Sequence, residues 1–383
     1  MVLTLRRIPA FAYLFPMRLE IAAAAMSSCL GPLITACAAF RAGLGHARSS
    51  REFPYFPEGD NAPVPLVTCA IPDVTFGFSA AGRLIAILHE ALMDLQGRVS
   101  LQELGAGTPL FLVLPDPLER DFPMRPELRE DATRRRDVLG TFVLKQAFDN
   151  LGMAWRGGWR FFMGGHVAFA RALQAARDVI RSREAEACLV VAVDSLLSPP
   201  TLHSLSLRRR LKTEDQPVGF IPGEAGVALL LRPAKGRLDS RVPSPVLLDD
   251  VCVLESPEPE RADGRGLAAC VERVLPPGAS ASEEPLLVSD HNGEQRRAHE
   301  WGGLLLHLRM RRPEWRLERS SWLPALSFGE TGVASGALGV CVVLRGFERG
   351  YARARSGVVL TSEDRQAPRA AILLSASEKE GRA

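Results

Sequence analysis

Short apolar runs alternate with helix-length amphipathic segments along this chain, and they do so twice. That alternation restricts the fold to a mixed or parallel sheet covered by helices. Runs such as PLFLVLP (109–115), ACLVVAVD (187–194), EPLLVSD (284–290) and SGVVLTS (356–362) are too short and too continuous for surface strands, so they read as buried strands. Between them lie segments with apolar residues at helical spacing. One covers about 79–96, with Leu84, Ile87, Leu88, Ala91, Leu92 and Leu95 on one face; another covers 166–183. A chain of 383 residues suffices for one large double domain.

The alternation predicts strands from Met17 (MRLEIAAAA), at 159–163 and at 217–232 after a turn, with helices at 32–43 and 134–150. Residues 46–66, with their prolines, glycines and charges, read as a loop, and 116–137 as charged surface. Residues 233–245 carry the boundary between halves, giving domains 17–237 and 238–383 after a leader at 1–16. In the second half PVLLDDVCVL reads as a strand pair or hairpin and WLPALSF as a strand. Helices are expected at 264–275, 298–311 and 331–344, and RAAILLSAS as the closing strand.

Charge and cysteine usage narrow the function. Forty-seven basic against 44 acidic residues leave a net +3, too little to imply a nucleic-acid partner. Seven cysteines are scattered without a CxxC pair, which reads as buried free thiols in a reducing, cytoplasmic setting. The uncharged run 21–40 has the length of a signal peptide or membrane span. Its Ala/Ser content and the Gly31-Pro32 break fit a strand, a loop and a helix start equally well, and no membrane partner is expected. His291, His299 and His307 recur every eight residues, but His299 and His307 fall out of phase on a helix, so no metal site is expected. GxGxxG and the Walker loop are absent, and no cofactor is expected. Arg208, Arg209 and Arg210 read as a solvated turn before they read as a carrier-protein contact. Lysine is nearly replaced by arginine, a usage that goes with GC-rich bacterial genomes.

ACLVVAVDS followed by GFIPGEAGVALLL resembles the β-ketoacyl synthase family. Asp194 and Ser195 match its G-x-D-S motif, and Gly219, Phe220, Gly223, Glu224 and Gly226 match its G-F-x-x-G-E-G-A-G motif with one glycine missing. The resemblance implies a thiolase-like five-layered α-β-α-β-α fold built from two pseudo-repeated halves. It also implies a dimer, with itself or with a related synthase, and an acyl-carrier protein partner.

The resemblance further implies four catalytic parts. The nucleophilic cysteine belongs at the turn before the 166–183 helix, where Met163 or Gly164 stands instead. The turn still has Gly165 and His166, and Gly164-Gly165 suits free backbone N–H groups. The first histidine, in an A-H-G-T motif, maps to His291, followed by Asn292 and Gly293; a strand-end histidine can also be merely a satisfied polar residue. The second histidine, in G-H-T, is replaced by Glu330, which reads first as a partner of the helix N-terminus and second as a buried general base. The glycine-rich oxyanion turn G-F-G-G is replaced by TSEDRQAPR, which has no glycine. Asp194 and Phe220 complete the expected pocket. Condensation needs the covalent nucleophile and both oxyanion donors. The expected function is therefore a partner-binding or accessory subunit that has lost condensing activity. The alternative is an acyltransferase or malonyl decarboxylase of fatty acid or polyketide metabolism using His291 and Glu330.

Overall fold

The computed structural model describes residues 17–377, apart from 58, 60–61, 106, 235–244, 256–262, 276–282, 318–320 and 365–367. The expected leader and the expected boundary between halves lie outside the described residues.

Twelve strands form in chain order. They are β1 (Leu19–Ser28), β2 (Arg48–Tyr55), β3 (Val64–Thr68), β4 (Leu110–Pro115), β5 (Trp159–Gly164) and β6 (Cys188–Ser195). After these come β7 (Glu224–Pro233), β8 (Val246–Leu254), β9 (Leu286–Ser289), β10 (Ser321–Trp322), β11 (Ser356–Ser362) and β12 (Arg369–Ala376). Ten of them make two five-stranded halves with the same order, β1-β7-β6-β4-β5 and β8-β12-β11-β9-β10. In each half the first two pairings are antiparallel and the last two parallel. Among the described residues the two sheets pair at β1 and β8 through Leu19↔Leu248 and Glu20↔Leu247.

Strand alternation sorts the side chains into layers. Met26, Phe111, Val113, Val190, Ala192, Val227, Val288, Val359 and Ile372 point into one shared core. That core also takes the helices Ala168–Arg181 and Ser335–Glu348, through Phe169, Leu173, Val340 and Val343 among others. The opposite faces of the first half, Leu110, Leu112, Leu189 and Val191, pack under Ala81–Gln96 and Ala132–Asn150. Those of the second half, Leu287, Val358 and Leu360, pack under Arg265–Val274 and Gln295–Arg311. Helices, sheet, helices, sheet, helices: the five expected layers are present.

Three local expectations fail. Residues 46–66 contain most of a two-stranded ribbon, β2 with β3, whose polar, proline-bearing sequence hid it. Phe53 and Leu66 seat it on Leu196, Leu197 and Phe220. VLLDDVCVL is one strand and not a hairpin. Its two aspartates sit where the register against Leu373 and Leu374 shifts by a residue, and Asp249 and Asp250 pair with Arg18 and Arg177. WLPALSF keeps only Trp322 in a strand, as the last residue of β10, before Pro324 turns the chain into the helical turn Ala325–Phe328. The uncharged run 21–40 is β1, a turn and the helix Leu33–Arg41. Among the described residues no helix is long and apolar enough to cross a membrane.

Candidate functional site

The C-terminal ends of β5, β9 and β11 and the loop after Phe328 converge where the two halves meet. β5 delivers the turn Gly164–Val167, which tightens through the Gly165 carbonyl accepting from Ala168 N–H at 3.1 Å. The helix Ala168–Arg181 then departs with no side-chain cap of its own. Glu330 is presented by a loop that turns at Gly329, whose φ of 73° only glycine adopts readily. Glu330 N–H donates to the Ile221 carbonyl at 2.8 Å and its own carbonyl accepts from Gly223 N–H at 2.9 Å, so the G-F-x-x-G-E segment laces this loop in place.

Three side chains meet there. His166 Nε2 lies 2.8 Å from Glu330 Oε1. Asn292 Nδ2 donates to Glu330 Oε2 at 2.5 Å. Gly332 N–H donates to Oε1 at 2.7 Å, and Ser335 Oγ also reaches it, at 3.3 Å. Every face of this buried carboxylate is therefore occupied. Burial alone would raise its pKa, but the His166 imidazole and the Arg297 guanidinium outweigh burial and hold Glu330 down at about 2.

Arg297 is the hub on the other side of His166. Its Nη1 donates to Asp290 Oδ2 at 2.6 Å and its Nη2 to Asp364 Oδ1 at 2.6 Å. Nη2 also stands 3.1 Å from both the Ser362 carbonyl and His166 Nδ1. Burial and Arg297 both push protons off His166, while Glu330 and Asp364 draw them on and lift it to about 9. The contact at Nδ1 argues the other way, because a guanidinium can only donate and a protonated Nδ1 would find no acceptor there. Nη2 has two protons for three acceptors, and Asp364 and Ser362 suffice to take them. The raised value is therefore the sounder reading. In either charge state the Nε2 proton is shared with Glu330.

The space beside Gly165 is filled as well. A Cβ built on Gly165 would stand 2.0 Å from Glu363 Oε2. Glu363 Oε1 accepts the Val167 N–H at 3.1 Å, the backbone donor at the head of the helix. A carboxylate thus fills the space that a side chain at Gly165 would need and takes the N–H at the head of the helix.

The remaining expected residues take other places. His291 is half-buried, its pKa lowered mainly by burial, and its Nδ1 receives only a long 3.5 Å contact from Gly293 N–H. It is the next residue, Asn292, that bonds Glu330. Met163 pairs in register with Leu114 and lines a cleft of about 760 Å³ outside the cluster. Gly164 pairs with Pro115 at the strand end. Asp194 is fully buried, gripped by Arg120 and accepting Val333 N–H at 2.9 Å, so it anchors the turn after Glu330. Phe220 lies buried beneath the Arg210 guanidinium, 5.2 Å from ring centre to Cζ. Arg210 in turn holds Glu294 and Asp364.

Sequence reading missed Arg297, Asp290, Glu363 and Asp364. The available signal was a pair of acids replacing glycines in the last turn. All seven cysteines are free and buried. Cys69 packs against Gly329, yet no cysteine hydrogen-bonds to His166, Asn292 or Glu330 among the described contacts. Burial pushes the Cys37 and Cys188 thiols up to about 12 and holds Cys341 well above its ordinary value.

The fold as a whole is similar to solved structures. The ishigamide ketosynthase/chain length factor superposes with a TM-score of 0.67 at 21% identity, covering 94% of this chain and 99% of that one. The chain has the ketosynthase fold. A type II PKS ketosynthase, AntDE, solved with its acyl-carrier protein AntF and bound to the hexaketide, gives a TM-score of 0.72 at 11% identity over 95% of this chain and 100% of that one. The ketosynthase from module 6 of the bacillaene synthase from Bacillus subtilis 168 gives 0.69 at 12% identity, covering 94% and 72%. No protein-family model matches the sequence, and no curated protein matches it. Against this ketosynthase frame the cluster stands out chemically: His166 and Asn292 both bind Glu330, Glu363 binds the Val167 N–H beside them, and no thiol bonds to them among the described contacts.

Proposed function

We propose that this chain is a non-condensing, ketosynthase-like subunit that acts by pairing with a related, intact synthase. The observation that carries this reading is Glu363: its carboxylate covers Gly165 and takes the Val167 N–H, the two features a thioester-forming turn must leave open. A negative charge held there opposes a developing oxyanion instead of stabilising it.

The alternative, acyl transfer or decarboxylation by His291 and Glu330, asks Glu330 to accept a proton. A carboxylate bonded on both oxygens and held at about 2 is a poor base near neutral pH.

A surface for pairing is available. Among the described residues β5 pairs only with β4, leaving its outer edge open. Trp159 on that edge is 52% exposed, and Val138 and Phe142 are exposed on the neighbouring helix Ala132–Asn150. An open apolar edge of this kind invites strand addition. The ketosynthase/chain length factor and the ketosynthase–carrier protein complex among the similar structures lend the same direction to partner choice.

The test mixes the purified full chain with an intact type II ketosynthase and reads mass by light scattering. In parallel the chain alone is incubated with malonyl- and acyl-loaded carrier protein, with His291→Ala as control. A stable mixed complex with no carbon dioxide release and no acyl transfer by the chain alone is expected. Release or transfer that His291→Ala abolishes would overturn the proposal.

A further inference from the structure

Beside the cluster lies a pocket of about 140 Å³. A single water needs roughly 10–15 Å³ on this scale, so the pocket has room for a small ion and several waters. Its walls include Arg296, Arg297 and Ser362, together with Glu294, Glu300, Glu363 and Asp364.

The carboxylates are already engaged. Glu294 and Asp364 pair with Arg210, Asp364 also with Arg297, and Glu300 with Arg369. Glu363 gives one oxygen to Val167 N–H and turns the other toward Gly165.

Two donors are left over. Arg297 is 5% exposed and Ser362 2% exposed, yet among the described residues Arg297 Nε, 3.9 Å from Glu294 Oε2, and Ser362 Oγ have no hydrogen-bond partner. Leaving a buried polar group unpaired is costly, and native proteins do so rarely. Arg296 makes no ion pair or hydrogen bond among the described residues. Its guanidinium sits partly buried; burial, Arg369 and Arg297 disfavour its charge and outweigh the help of Glu300 and Asp364, a burden that a bound anion would lift. The 17-residue helix Gln295–Arg311 also begins here with no side-chain cap, so its first-turn N–H groups add partial positive charge.

We propose that this pocket is a binding site for a small oxyanion, held between the Arg296 guanidinium, Arg297 Nε and Ser362 Oγ at the head of the Gln295–Arg311 helix. It stands independently of the subunit reading. Because Arg297 also touches His166, an occupied pocket would brace the buried cluster.

Calorimetric titration of the full chain with inorganic phosphate, acetate and chloride at constant ionic strength tests this. Phosphate or acetate should bind saturably and raise the melting temperature, and chloride should not. The phosphate and acetate arms separate a phosphate-type from a carboxylate ligand. Arg296→Gln, which breaks no existing bond, should weaken binding by about tenfold or more, as loss of a charged hydrogen-bond donor does. Arg181→Gln, at an exposed site, should leave it unchanged. Absence of saturable binding for both oxyanions, or undiminished binding in Arg296→Gln, would overturn the proposal.

Discussion

Nε2 of His166 and Oε1 of Glu330 stand 2.8 Å apart although 164 positions separate them, one at the turn after β5 and the other in the loop beside β7. The bond joins the two halves of the fold. Such a buried pair is held by geometry, because each partner loses its water and must be satisfied by the other.

Breaking it should therefore be expensive. Glu330→Ala leaves His166 and Asn292 without their shared acceptor, and loss of one member of a buried ion pair typically costs about 3–5 kcal/mol. Urea unfolding should show this. The double variant His166→Ala/Glu330→Ala should lose less than the sum of the singles, by about 0.5–3 kcal/mol. Strict additivity would mean that the two groups do not interact in solution.

The pH dependence follows from the signs. His166 is raised from 6.5 to about 9, so its contribution is complete below 6.5 and is lost as the pH rises through about 9. Glu330 is lowered from 4.5 to about 2, so its contribution is complete above 4.5 and is lost as the pH falls through about 2. The stability gap between the wild type and the double variant should peak between those two ordinary values, 4.5 and 6.5, and narrow on either side. A gap that stays flat on the alkaline side would mean that Arg297 keeps His166 neutral.

Glu363 should decide whether the turn can hold a reactive side chain. In Gly165→Cys the new sulfur must displace the Glu363 carboxylate, and a nearby anion keeps a thiol protonated. Iodoacetamide should label this variant slowly at neutral pH. Gly165→Cys/Glu363→Gly, with the helix N–H freed, should label faster, read by mass spectrometry. Equal rates would show that Glu363 does not guard the position.

The open edge can be tested apart from stability. Val138→Glu/Phe142→Glu adds charge to an exposed helix face beside β5. Exposed substitutions of this kind usually change stability by about 0.5 kcal/mol or less. The melting temperature should hardly move, while the complex with an intact synthase should disappear by light scattering. Retention of the complex would move the interface elsewhere.

The sequence by itself determined the layered α/β architecture, because period-2 and period-3.6 apolar patterns report burial residue by residue along the chain. β4, β6, β11 and the helix Ala168–Arg181 were legible for that reason, and so was the want of a cysteine before that helix. Only the tertiary structure decided which side chains meet beside that turn. His166, Asn292 and Glu330 lie up to 164 positions apart, and whether His291 or Asn292 faces Glu330 is a one-residue question of how β9 ends. No local pattern carries that information. It depends on two halves meeting, on the loop that Gly329 allows, and on Arg297, which lies just before the helix expected at 298–311 and which Asp290 and Asp364 bind in the fold.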